Sequence, residues 1–349
     1  MIRSTFTSTI VAVSVTFTAL ITTVPAPADN ASAAHFHRIK KIAIGGEGGW
    51  DYLTMDSAAH RLYVTRGTRV IVIDTEKDAV VGEIANTPGV HGVAIAEKLN
   101  RGFTSNGREN TVTEFDLKTL KEIKRIPVGQ NPDAILYDPF SKRVFTFNGG
   151  SNDVTAIDVE TGKVAGTIPV GGKPEFCVTD EKGMVYCNVE DKNEIVPIDA
   201  KTLSAKGHWS IDPVDGPSGL AIDRAHRRLF AVGGNEKMAV VDADSGKLIA
   251  TPQIGKGPDA AAFDPALGLA ISSNGRDGTL TLIHEESPVT FKVVATVPTQ
   301  TGARTMALDP KTHYIYLITA TFKAPAAGAA APRRPAMEPN SAVILVYGP

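Results

Sequence analysis

The sequence predicts an all-β chain folded as a seven-bladed β-propeller, and three observations carry that prediction. A four-strand pattern recurs along the chain, its period stays between 40 and 45 residues, and the two chain ends supply complementary parts of one unit. A period of that size with four strands per unit is the mark of a propeller.

The clearest copy runs from Asn131 to Lys173. AILY is a first strand, closed by Asp138-Pro139-Phe140-Ser141, a turn with Asp at its first position and Pro at its second. RVFTF follows, then the polar loop Asn148 to Asp153. VTAIDV is the third strand, Glu160-Thr161-Gly162-Lys163 the next turn, and VAGTIPV the fourth strand. Pro169 lies in that fourth strand and cannot donate to a ladder, so the strand is predicted at a sheet edge.

The residues that follow each Gly/Pro-rich junction align as Asp51, His91, Asp133, Glu175, Ser218, Asp259 and Arg304, at spacings of 40, 42, 42, 43, 41 and 45. Seven starts predict seven blades. The last copy contains TMALD, YIYLIT and VILVY and then ends at Pro349, one strand short. An orphan strand, Ile39 to Gly45, stands at the beginning. It is expected to complete the last blade, which closes the ring and removes the long free edges that invite aggregation.

The segments RLYVTRGTRVIVIDTEKDAVVGEI, TVTEFDLKTLKEIKRIPVGQNP and VFTFNGGSNDVTAIDVETGKVAGTIPVGGKP resemble the YVTN-type repeat of the YncE-like family of secreted seven-bladed propellers. The resemblance covers nearly the whole chain after its first 34 residues. It implies the fold and an exported protein. It implies no particular reaction, because propellers host many activities.

Residues 1–34 are expected to be a secretory leader, with Arg3 at its start, an apolar run from Ile10 to Val24 and Ala31-Ser32-Ala33-Ala34 as a cleavage region. Residues 35–349 then form one domain, periplasmic or secreted, with no span long enough for a bilayer. The formal charge of −2 and the lack of a basic stripe with stacking aromatics argue against nucleic acid as a partner. A monomer that meets a small molecule or an envelope partner is expected. Thr321 to Ser341, rich in Ala and Pro, reads as a flexible insertion on the top face. Cys177 and Cys187 flank a turn centred on Lys182 and fall opposite each other, so a disulfide is expected in an oxidising compartment, with two buried thiols as the alternative.

The repeat also separates architecture from chemistry. Turns between first and second strands lie on the bottom, so His60, His226 and His313 read as surface turn residues. The Asp that ends most third strands (Asp74, Asp116, Asp158, Asp199, Asp242) should cap the following turn, and His284 stands in that place in blade 6. On the top, Asp51, Asp133, Glu175 and Asp259 converge with His91 and Arg304. Gathered carboxylates must share a proton, pair with a cation or bind a metal. Trp50, Arg66, Asn106, Asn148, Asn188 and Asn274 are placed beside them as ligand-binding candidates.

These residues support two readings. In the first, the protein binds a small molecule, glycan or partner at the top of its channel. In the second, Asp51, Asp133, Glu175 and Asp259 hold one divalent cation (Ca²⁺, Mg²⁺, Mn²⁺ or Zn²⁺) for a hydrolase, lactonase or lyase. His91 would then be the general base and Arg304 the oxyanion partner. The sequence has no G-x-S-x-G, P-loop, H-E-x-x-H or C-x-x-C motif, so neither a nucleotide nor haem is expected.

Overall fold

The computed structural model describes residues 1, 2, 5, 35–323 and 336–349. Seven antiparallel sheets follow one another, each with its first strand innermost and its successors hydrogen-bonded outward in chain order. In blade 3 the strands are Pro132–Asp138, Arg143–Asn148, Asp153–Asp158 and Lys163–Pro169, and Pro169 sits on the outermost strand as its missing N–H requires. Blade 4 departs from this plan: its outer strand is broken into Ser204–Ala205 and Trp209–Ser210, both paired with Glu194–Asp199.

The ring closes as the chain ends require. His37–Ala43 pairs antiparallel with Val343–Gly348, the third strand of blade 7, and so becomes that blade's fourth strand. Ile344 and Val346 of blade 7 pack with Leu53, Leu62 and Val64 of blade 1, sealing the seam between the last and first blades. Each such fully buried aliphatic side chain contributes roughly 1.5–3 kcal/mol. Third strands are buried through their middles, whereas outer strands such as Ala79–Ile84 are largely exposed. No helix of the described residues is long and apolar enough to cross a membrane.

The expected turn caps are present. Asp74, Asp116, Asp199 and Asp242 each accept two backbone N–H bonds from the succeeding turn, and Asp158 accepts one from Thr161. The Lys77 ammonium and then those bonds for Asp74, those bonds for Asp116 and Asp158, and for Asp199 and Asp242 bonds that outweigh burial, hold the carboxyl below the usual aspartate range. Blade 6 lacks the cap and pays in regularity. With His284 in that place the ladder does not stop, and the strand runs on as Thr279–Ser287 against Thr290–Pro298.

The proposed leader falls almost entirely outside the described residues, as does the centre of the Thr321–Ser341 insertion. The two described ends of that insertion pair with each other. Phe322 pairs with Met337, Lys323 N–H donates to Ala336, and the Phe322 ring lies 6.2 Å from that of Trp50. An apolar contact beside the channel supplies what the Ala/Pro composition concealed. Cys177 and Cys187 face each other in register on adjacent strands of blade 4, both buried and with no bond drawn between their sulfurs.

Candidate channel-mouth binding site

Every inner strand of blades 2 to 6 carries a β-bulge at its upper end. The register breaks between Val90 and Val93, Pro132 and Ile135, Pro174 and Cys177, Pro217 and Leu220, and Pro258 and Ala260. His91, Asp133, Glu175, Ser218 and Asp259 lie inside those breaks. A bulge turns a side chain out of the sheet's alternation, and here it turns a repeated position toward the shared axis.

The result is a network linking five blades. His91 Nδ1 lies 2.6 Å from Asp51 Oδ2 and 3.4 Å from Asp133 Oδ1. Arg304 donates through Nη1 to Asp259 and through Nη2 to Asp51 Oδ1 at 3.3 Å and to the Trp50 carbonyl at 3.1 Å. Neighbouring hydroxyls hold the backbone in place: Thr305 donates to the Asp51 carbonyl at 2.7 Å, and Ser105 and Ser273 donate to those of Asp133 and Arg304. Asp51, His91 and Asp133 present ligating atoms within 4.8 Å of one another. Glu175 stands apart from that trio, paired with Lys173 at 3.1 Å, and Lys173 also meets Glu190.

The electrostatics follow from crowding. Burial, reinforced by the charge of Asp51, pushes Asp133 up to about 6 against the pull of His91. Burial and the Asp133 charge push Glu175 up to about 8. Asp259 is raised by burial even with Arg304 beside it. Burial lowers His91, but its bond to Asp51 and the charges of Asp133, Asp51 and Glu175 outweigh this and leave it raised. Asp133 Oδ1 and Glu175 Oε2 are buried and accept no hydrogen bond.

Three contributors escaped the sequence reading. Tyr52 belongs to blade 1, yet its ring meets Phe176 of blade 4 edge-on at 5.1 Å. Blades 1 and 4 are not neighbours, so this side chain spans the channel below the carboxylates. Burial and the charges of Asp133, Glu175, Asp51 and Asp259 raise its hydroxyl well above its usual range. Lys173 and Glu190 were the others. Lys173 had a usable signal, since it stands two residues before Glu175 in a junction otherwise made of Gly and Pro.

Several expected ligand contacts lie elsewhere. Asn106, Asn148 and Asn274 are fully buried, and their side chains serve the blade itself. Each Oδ1 accepts from a hydroxyl two residues earlier, while each Nδ2 donates to side-chain oxygens of the third strand. Asn188 is likewise buried and donates to the Ser218 and Gly219 carbonyls. Arg66 is buried under the glycine loop and donates to the Gly45 and Gly46 carbonyls. Burial and neighbouring Arg69 lower it to about 10. Gly45, Gly46 and Gly48 all take positive φ there, as a non-glycine residue would resist. Trp50 lies beside the mouth with its Nε1 buried and unpartnered.

Comparison with known proteins agrees with this architecture. Over 109 residues the chain is 27% identical to the uncharacterized protein YncE of Salmonella typhimurium and to that of Salmonella typhi, an alignment covering 31% of this chain and 31% of each relative. The fold is a seven-bladed β-propeller, and the matched segment is similar to YncE. The matched segment thus spans about a third of those curated relatives. No family model matches the chain. Among solved structures, a chain of Kuenenia stuttgartiensis hydrazine synthase superposes with a TM-score of 0.68 at 16% identity, covering 86% of this chain and 96% of that one. A chain of the mitotic checkpoint complex gives 0.72 at 14%, covering 95% and 99%. At such identities the chain shares with them a fold alone.

Proposed function

We propose that this YncE-like propeller is an exported binding protein whose channel mouth takes a small ligand, glycan or envelope partner that presents a cation. The observation that carries this reading is the incompletely met charge of two buried oxygens, in a mouth holding more carboxylates than cations: Asp133 Oδ1 has His91 no nearer than 3.4 Å, and Glu175 Oε2 has Lys173, which it shares with Glu190. Such atoms are costly until a donor or a cation meets them. A divalent ion seated by Asp51, His91 and Asp133 is one way to supply that charge, and the residue types suit it.

Binding is favoured over metal-assisted hydrolysis by what His91 and Arg304 already do. A general base must be free to take a proton, and the His91 ring is biased toward its protonated form between two carboxylates. Arg304 has both terminal nitrogens committed to Asp259, Asp51 and Trp50, which leaves it poorly placed for an oxyanion. The hydrolase reading keeps one support, the ligating distances within the Asp51–His91–Asp133 trio.

The test is calorimetric titration of the mature chain with Ca²⁺, Mg²⁺, Mn²⁺, Zn²⁺ and small organic cations, beside the Asp133→Ala/Glu175→Ala variant. Binding that the double variant loses supports the proposal. Titrations identical in both proteins would overturn it, and a stoichiometric ion accompanied by lactone hydrolysis would move the assignment to the enzyme.

A further inference from the structure

We infer that Asp223, His226 and Glu285 form a second site, for a borderline divalent metal of the zinc class, on the bottom rim between blades 5 and 6. The three side chains come from separate places. Asp223 ends the inner strand of blade 5, His226 lies in the turn after it, and Glu285 lies on the extended part of blade 6's third strand. His226 Nδ1 is 2.7 Å from Asp223 Oδ2 and 3.2 Å from Glu285 Oε1.

The inference rests on more than acidity. The Asp223 and Glu285 side chains are each only 3% exposed. Apart from His226, neither Asp223 Oδ2 nor Glu285 Oε1 has a donor among the described residues, and the buried Glu285 Oε2 has no partner at all. Asp223 Oδ1 is already used by the Ala225 N–H. The neighbouring guanidinium of Arg228 donates to Asp242, the Pro288 carbonyl and two turn carbonyls, not to these two carboxylates. Two desolvated carboxylates with unmet oxygens at one point need a shared proton or a cation.

Geometry selects the cation. Ligands about 2.0–2.1 Å from a tetrahedral ion lie roughly 3.3 Å apart, which the 3.2 Å between His226 and Glu285 matches and to which the 2.7 Å between His226 and Asp223 would open on binding. One imidazole and two carboxylates suit Zn²⁺ better than Ca²⁺ or Mg²⁺, which prefer oxygen ligands. His226 is 56% exposed, so the fourth position opens to water.

The local backbone explains why this occurs once. His60 and His313 occupy the left-handed residue just before a second strand, whereas in blade 5 that residue is Arg227. His226 is therefore one position earlier and meets the Asp that ends its own blade's inner strand, whereas His313, which the sequence reading placed on the surface, reaches 2.8 Å across to the buried Asp264 of blade 6. The hairpin extension that begins at His284 carries Glu285 over the neighbouring turn, and Pro288 at its tip anchors on Arg228.

The experiment titrates the mature, metal-free protein carrying Asp133→Asn, which disables the channel-mouth trio, with Zn²⁺ by calorimetry and with Co²⁺ by visible absorption. One ion per chain is expected, with a d–d band of tetrahedral intensity. Adding His226→Ala, an exposed and structurally mild change, should weaken Zn²⁺ at least tenfold and abolish the band, and Glu285→Gln should do the same. No uptake in the Asp133→Asn protein would mean that the carboxylates share only a proton. Uptake unaffected by both bottom-face variants would place the ion elsewhere. Either result overturns the inference, and neither bears on the channel mouth.

Discussion

The channel mouth and the bottom rim are both clusters of desolvated carboxylates around a histidine, yet they arise in opposite ways. At the mouth, one repeat position in successive blades is turned inward by a bulge, so the acidic groups come from the regularity of the fold. At the rim, the cluster exists because blade 6 breaks the repeat and overhangs blade 5. The mouth also carries its own cations, Arg304 and Lys173, while the rim has only an exposed imidazole within contact. A partly neutralised cluster tolerates an empty state better than one without an internal Arg or Lys, which depends more on what binds it.

The sharpest way to break that contrast is to remove the mouth's own cation. Arg304→Met leaves the Asp51 and Asp259 carboxylates without their guanidinium and is expected to cost about 2 kcal/mol in urea unfolding, tempered by the partial exposure of the pair. Combining it with Asp259→Asn should recover part of the loss. Unchanged stability in Arg304→Met would show that the mouth does not depend on its own cation.

A disulfide between Cys177 and Cys187, which face each other across one hairpin, is expected when the chain is exported. Closing so short a loop should add roughly 2–3 kcal/mol. Thiol titration of the denatured protein, with and without reductant, gives the answer directly. Two reactive thiols without reductant would remove this staple.

The pH response should be specific to the mouth. Glu175 keeps its proton to about 8 in the folded chain but releases it near the ordinary glutamate value when unfolded. The folded state therefore binds more protons across that window and loses stability as pH rises through it. Glu175→Gln removes this liability, so its melting temperature should exceed wild type above pH 8 and converge with it near pH 4. The expected gain is roughly 1–2 kcal/mol. Equal melting curves at pH 9 would contradict the buried position of Glu175.

The smallest effect separates architecture from ligand binding. Asn148→Ala should destabilise blade 3 by about 1 kcal/mol through loss of its bonds to Thr146, Asp153 and Thr155. Cation titrations at the mouth should stay within twofold of wild type. A larger change would return Asn148 to the binding surface.

Much of the molecule was legible in the chain alone. Strand period, turn chemistry and the 40–45-residue repeat specified the blades, their number and the closure by Ile39–Gly45, because each is a local or counting property of the chain. The convergence of Asp51, His91, Asp133, Asp259 and Arg304 came from knowing which strand end faces the axis. The asparagines misled for a related reason. Their position near a loop says polar, but only the fold reveals that Thr, Ser and Asp partners on adjacent strands already satisfy them.

What the sequence determined by itself was the repeat, its seven copies and the residue type at each inner-strand entrance, since these depend on short-range pattern alone. What only the tertiary structure decided was direction and company. Bulges aim those entrances inward, Tyr52 crosses from blade 1 to blade 4, Lys173 pairs with Glu175, and Glu285 reaches over His226. Such contacts join residues from different blades or from either side of a bulge, and their distances are set by how whole sheets pack around a ring.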